Sequence, residues 1–140
     1  KDINNALEKF SSIVIKGLVE CEYIDGVLAF IIGLKKKNKK LYVVSGSDQQ
    51  ELINIFSMRG INNYFDTIYG SPNNKIINTK KVISSVDKIE NGIFLGDSKS
   101  DYDAANKFGL DFLFLKGASE WKDGVSTINK EYIFDNFLTL

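Results

Sequence analysis

The sequence predicts an α/β domain with a mainly parallel sheet and helices on both faces. Three observations predict it. Short continuous apolar runs at 41–44 (Leu-Tyr-Val-Val), 93–95 (Ile-Phe-Leu) and 112–115 (Phe-Leu-Phe-Leu) read as strands buried on both faces. Segments with apolar residues at spacings of three and four lie between them, as amphipathic helices require. Strand and helix then alternate at the rhythm of parallel crossover units. A chain of 140 residues is long enough for one domain with its own core.

The elements follow in order. Residues 2–20 place Ile3, Leu7, Phe10, Val14 and Leu18 on one side of a helix. Ser11, Ser12, Ile13 and Ile15 are poor helix formers, which leaves a strand there as the lesser alternative to the helix. Asp25-Gly26 punctuates, and Asp25 is placed to cap a helix over 26–37 that buries Val27, Phe30, Ile31 and Leu34. Lys35, Lys36, Lys37, Lys39 and Lys40 follow. They read either as an anion site or as a solvated last turn favoured by the helix dipole. The strand at 41–44 is broken by Ser45-Gly46-Ser47. Asp48 caps a helix over 49–59, and Gly60 ends it. Residues 65–69 form a strand, 70–74 a turn, and 75–87 a helix with Ile76, Val82, Ile83 and Val86 inward. The strand at 93–95 is broken by Gly96-Asp97-Ser98, and a helix over 100–108 ends at Gly109. The strand at 112–115, a loop at 121–124 and a short edge strand at 132–134 complete the chain.

Composition narrows the chemistry. Lys plus Arg and Asp plus Glu are each 18, so the net charge is zero. No basic stripe argues for nucleic acid or for anionic lipid. No apolar run approaches the ~20 residues of a membrane span. There is no His, which removes His-based triads, His metal ligands and His acid–base work. The single Cys, Cys21, excludes an internal disulfide and a Cys-rich zinc site. Carboxylates, Ser, Lys, backbone amides and a hard cation such as magnesium remain.

In open parallel sheets, ligands sit at the carboxyl ends of strands. The loops at 45–48, 70–75 and 96–101 are therefore the places to look. Ser45-Gly46-Ser47 offers a hydroxyl and amides at a helix start, which suits either a phosphate-sized anion or a simple helix cap. Asp97 and Asp101 stand four residues apart across a strand tip and a first helical turn. They can converge on one hard cation, or Asp101 can serve only the helix N-terminus. Lys75 follows a Gly-Ser-Pro turn and is either a surface lysine or a cation pointed into the same mouth.

The order of these loops resembles the haloacid dehalogenase-like hydrolase superfamily, in its phosphoglycolate phosphatase-like branch. The likeness runs over roughly residues 22–135: strand then Ser45, turn then Lys75, strand then Gly-Asp-Ser-x-x-Asp at 96–101, followed by Ala104-Ala105 and Gly109. The 96–105 segment is its most specific part. The resemblance implies a Rossmann-like three-layer α/β/α core. It implies that Ser45 and the Gly46 amide bind the transferring phosphoryl group, and that Lys75 neutralises it. Asp97 would ligate Mg2+, with Asp101 ligating it or orienting a bound water. The expected activity is magnesium-dependent hydrolysis of a small phosphorylated metabolite through an aspartyl-phosphate.

One departure is large. The first motif of that superfamily, Asp-x-Asp-Gly after a strand, supplies the nucleophile and is absent. Asp25-Gly26 is no substitute, because position 23 is Tyr. Residues 1–22 resemble the last helix of the family's cap, which leaves 23–140 as the core. The expectation is a truncated fragment, inactive alone. The alternatives are a non-catalytic phosphate- or partner-binding domain, a haloacid dehalogenase or a phosphomutase. The single Arg beside 17 Lys, 13 Asn and 17 Ile suggests AT-rich codons and a bacterial genome, and the expected location is cytoplasmic. In the resembled fold the first-motif strand is central, so its loss would bare two strand edges. Three repairs are open: direct pairing of the 41–45 and 93–97 strands, which ranks first, entry of residues 11–19 as a substitute strand, or a dimer through the exposed edges.

Overall fold

The computed structural model describes residues 12–15, 26–85, 92–116, 119 and 121–135. The strands are β1 (Ser12–Ile15), β2 (Lys40–Asp48), β3 (Thr67–Ser71), β4 (Gly92–Gly96), β5 (Asp111–Leu115) and β6 (Ile133–Phe134). The helices are α1 (Val27–Lys36), α2 (Gln49–Met58), α3 (Lys75–Ser85), α4 (Lys99–Lys107) and the short α5 (Gly124–Thr127). The six strands form one sheet in the order β3-β2-β1-β4-β5-β6, and every pairing is parallel.

Alternation along the strands builds two cores. Leu41, Val43, Ile93, Leu95, Leu113 and Leu115 face one side, against Ile31 and Leu34 of α1 and Leu52 and Phe56 of α2. Tyr42, Val44, Phe94, Phe112 and Phe114 face the other, against Val82 of α3 and Ala104 and Ala105 of α4. Strands covered on both faces must be apolar at every position, which is why they read as continuous runs. The result is the expected three-layer α/β/α architecture.

The central strand corrects two expectations. Residues 12–15 are extended, not helical, and they pair with β2 through Ser12↔Lys40 to Ile15↔Val43. They also pair with β4 through Ser12↔Gly92 to Ile15↔Leu95. Direct pairing of the 41–45 and 93–97 strands therefore does not occur, and the substitute strand takes the gap. Direct pairing would close the ladders of β2 and β4 but leave the β-branched run Ile-Val-Ile without a partner. Insertion forms a ladder on each side and buries Val14 at 3% exposure. The rest of the helix expected over 2–20, the division at 22/23, Asp25 and Val86 lie outside the described residues.

Smaller differences have local causes. Gly26, in a left-handed conformation with φ 79°, precedes α1 without a side-chain cap. β2 does not stop at Val44. It continues through Ser45-Gly46-Ser47 with an irregular register and pairs Asp48 with Ser71. Asp48 caps α2 as expected, its carboxylate accepting from the Glu51 amide at 3.1 Å. Gly60 and Gly109 follow α2 and α4 at φ 69° and 70°. Among the described residues no helix is long and apolar enough to cross a membrane.

Tyr42 carries a pH dependence. Its burial, and next the Asp66 carboxylate, push its hydroxyl above the ordinary value of 10.0, while a Ser85 hydrogen bond opposes this. Above about pH 10 the unfolded chain releases this proton while the folded chain retains it, so stability declines as pH rises. Urea unfolding at about pH 9 and about pH 11 should show that decline in the parent, and a flatter profile in Tyr42→Phe.

Candidate functional site

In this sheet the chain runs outward from β1 to β2 and β3, then crosses to β4, β5 and β6 on the other side. That reversal opens a crevice at the carboxyl ends of the central strands. Ser45 and Asp97 lie at those ends, on β2 and just beyond β4, either side of β1. Both are buried, at 1% and 9% exposure.

Asp101 organises one wall. It lies on the first turn of α4 and is fully buried. Its Oδ2 accepts from the Asp97 and Ser98 amides at 3.2 and 3.3 Å. The Ser98 hydroxyl accepts from the Asp101 amide at 3.2 Å, which completes a reciprocal capping box. A Cβ on Gly96 would lie 2.6 Å from the Asp101 side chain, so only glycine lets the carboxylate lie this close to the strand.

Lys75, the first residue of α3, reaches into the same wall. Its Nζ lies 2.9 Å from Asp101 Oδ1 and donates to Ser100 Oγ at 2.8 Å and, at the long limit of 3.5 Å, to Ser98 Oγ. The contact with Oδ1 is an ion pair without hydrogen-bond geometry, since Oδ1 accepts no hydrogen bond. Gly46 passes close above: a Cβ there would meet Lys75 Cε at 3.9 Å. Ser45 Oγ accepts from the Ser47 amide at 3.1 Å, which turns the loop over the strand end. An open cleft of about 570 Å³ leads in past Gly46, Lys75, Ser100 and Asp103.

The structure thus brings Lys75, Asp101 and Gly46 together and sets Ser45 and Asp97 at the same end of the sheet. It does not present Asp97 and Asp101 as an equivalent pair of metal ligands. Both Asp101 oxygens are committed, one to two amides and one to Lys75. Among the described residues no group of three His, Cys, Asp or Glu side chains could hold a metal ion. The donor set nevertheless fits magnesium, which accepts as few as one carboxylate with water and substrate oxygens.

Several supporting residues have no role in the sequence reading. Ser98 and Ser100 stand there only as members of the 96–101 loop, although Ser98 opens a Ser-x-x-Asp pattern that signals a capping box. Ser119 donates its hydroxyl to the Asp97 carbonyl and accepts from the Trp121 amide at 2.9 Å. Nothing local marks it, because its partner is 22 residues away. Asn78 is fully buried on a helix face expected to be apolar.

Fold and site together define a parallel α/β domain with a polar crevice at the carboxyl ends of its central strands. The chain matches the family model described as haloacid dehalogenase-like hydrolase over residues 1–115. It belongs to that family. Among solved structures it is similar to a predicted phosphoglycolate phosphatase from Haemophilus somnus, with TM-score 0.73 and 22% identity over 86% of this chain and 58% of that one. It is also similar to a haloacid dehalogenase-like hydrolase from Streptococcus pneumoniae, with TM-score 0.67 and 22% identity over 82% of this chain and 56% of that one. A superfamily hydrolase from Ehrlichia chaffeensis gives TM-score 0.62 and 23% identity over 83% and 54%. At these identities the likeness shows the fold. The chain spans little more than half the length of each. No curated protein matches it.

Proposed function

We propose that this chain forms the phosphate-binding part of a magnesium-dependent phosphatase acting on a small phosphorylated metabolite. The observation that carries the reading is the Lys75–Asp101 pair at the mouth of the crevice, with Gly46 above it and Asp97 at the neighbouring strand tip. Ser45 Oγ and the Gly46 amide donate to phosphoryl oxygens. The Lys75 ammonium, fixed by Asp101 and Ser100, faces the same group. Asp97 would hold magnesium, which would supply positive charge to offset that of the phosphoryl group. Asp101 acts by holding Lys75 and the Asp97 amide in place rather than by ligating the metal. The sequence contains no Asp-x-Asp-Gly segment, so the chain alone binds phosphate without hydrolysing it. That same absence favours one second reading, a phosphate-binding domain with no catalytic role.

Calorimetry with inorganic phosphate, with and without magnesium, tests the proposal. Magnesium should strengthen phosphate binding, and Asp97→Asn should weaken the magnesium-dependent binding by about tenfold or more. No hydrolysis of an aryl phosphate above a blank is expected. Phosphate binding indifferent to both magnesium and Asp97→Asn would refute the metal assignment. Hydrolysis that disappears in Asp97→Ala would show that the chain holds its own nucleophile.

A further inference from the structure

The loop carrying Ser45 and the turn carrying Lys75 meet at a single residue, Gly70. Between Val44 and Asp48 the β2–β3 register shifts, so the regular ladder is interrupted beside Gly70. Two side-chain amides bond to its backbone groups. The Gly70 N–H donates to Gln49 Oε1 at 3.2 Å. The Gly70 carbonyl accepts from Asn78 Nδ2 at 3.0 Å. The same Nδ2 also donates to the Asn73 carbonyl at 3.2 Å, across the turn before Lys75. Gln49 opens α2 directly after the Ser45 loop, and Asn78 lies one turn beyond Lys75 on the same side of α3. The approach is close: a Cβ on Gly70 would fall 2.3 Å from the Ser47 carbonyl oxygen and 2.9 Å from Gln49 N and Cα.

We infer that Gln49 and Asn78 are positioning residues that clamp the backbone of Gly70 from both sides and so hold the Ser45 loop and Lys75 in one fixed relation. The burial of Asn78 argues that this clamp serves more than packing. Its side chain is fully buried while its Oδ1 accepts nothing. An unpartnered amide oxygen in the core is costly, and an apolar residue would avoid that cost. What the apolar residue would lose is the pair of donors that tie the strand end to the turn. A phosphate held between Ser45, Gly46 and Lys75 depends on that spacing, because small displacements of binding groups carry large penalties. The inference rests on the phosphate-binding reading for its consequence but not for its geometry.

The test uses the whole chain, labelled with 15N, and inorganic phosphate as the probe. The acceptor and donor roles give opposite expectations for conservative changes. Gln49→Glu keeps an acceptor and should retain the exchange protection of the Gly70 amide and the amide shifts of residues 45–48. Gln49→Leu should lose both. Asn78→Leu and Asn78→Asp, which remove the donors, should shift the amides of 45–48 and 73–75 together. Asn78→Leu and Gln49→Leu should also weaken phosphate binding by about tenfold. A folded Asn78→Leu with unchanged amides at 45–48 and phosphate affinity within about twofold of the parent would overturn the clamp. So would equal loss of Gly70 protection in Gln49→Glu and Gln49→Leu. Should Asn78→Leu fail to fold, the two Gln49 variants decide. A parent chain that binds no phosphate refutes the functional reading alone, and the amide shifts still decide the clamp.

Discussion

Asp101→Ala is expected to lower stability by about 3–5 kcal/mol, the range for breaking a buried charge pair by removing one member. The side chain is wholly inaccessible, and that of Lys75 is only 17% exposed, so solvent screens the pair weakly. Truncation removes three things at once. The Asp97 and Ser98 amides lose their acceptor. The capping box that starts α4 loses its carboxylate half. Lys75 keeps its hydroxyl partners but loses its counter-charge. Urea unfolding of parent and variant measures the effect. A loss below about 1 kcal/mol would mean that the pair behaves as a surface ion pair, contrary to its burial.

Phe94→Ala should cost about 3–5 kcal/mol, the usual range for emptying a phenylalanine site in a core. Phe94 is fully buried on β4, level with Val14 of β1. Its ring centroid lies 6.2 Å from that of Phe112. It packs in the same cluster as Ala104 and Ala105 of α4. Those small residues let α4 lie close to the sheet, and they cannot grow to fill the space left behind. Met58, 86% exposed at the end of α2, provides the contrast. Met58→Ala should change stability by less than about 0.5 kcal/mol. Comparable losses at both positions in thermal unfolding would contradict this account of the core.

Much of the site was legible because its residues stand where local chemistry is distinctive. A Ser-Gly-Ser after a buried strand, a Lys after a Gly-Ser-Pro turn and two Asp four apart at a strand tip each signal a loop at the carboxyl edge of the sheet. What each residue does there was less legible. Asp101 could be read from sequence as a metal ligand or as a helix-terminus group. Its oxygens are taken by two amides and Lys75, and the lysine comes from a different helix. No spacing within 96–101 announces that partner. Gln49 and Asn78 were missed for a related reason. Their roles depend on Gly70, 21 residues from one and 8 from the other and beside the shifted β2–β3 register, so no local pattern marks them.

The strongest contrast is between β4 and β1. Ile-Phe-Leu at 93–95 is apolar on both faces, and no competing periodicity offers those residues another structure. The sequence by itself therefore determined the parallel α/β layering, the two cores and the strand ends on which the candidate site lies. Residues 12–15 carry two conflicting signals. Val14 belongs to a helical stripe with Phe10 and Leu18, while Ile13, Val14 and Ile15 are β-branched. Local propensity separates those states by less than one ladder of hydrogen bonds does. Only the tertiary structure decided between them, because the vacancy between β2 and β4 offers a strand partners on both edges and offers a helix none.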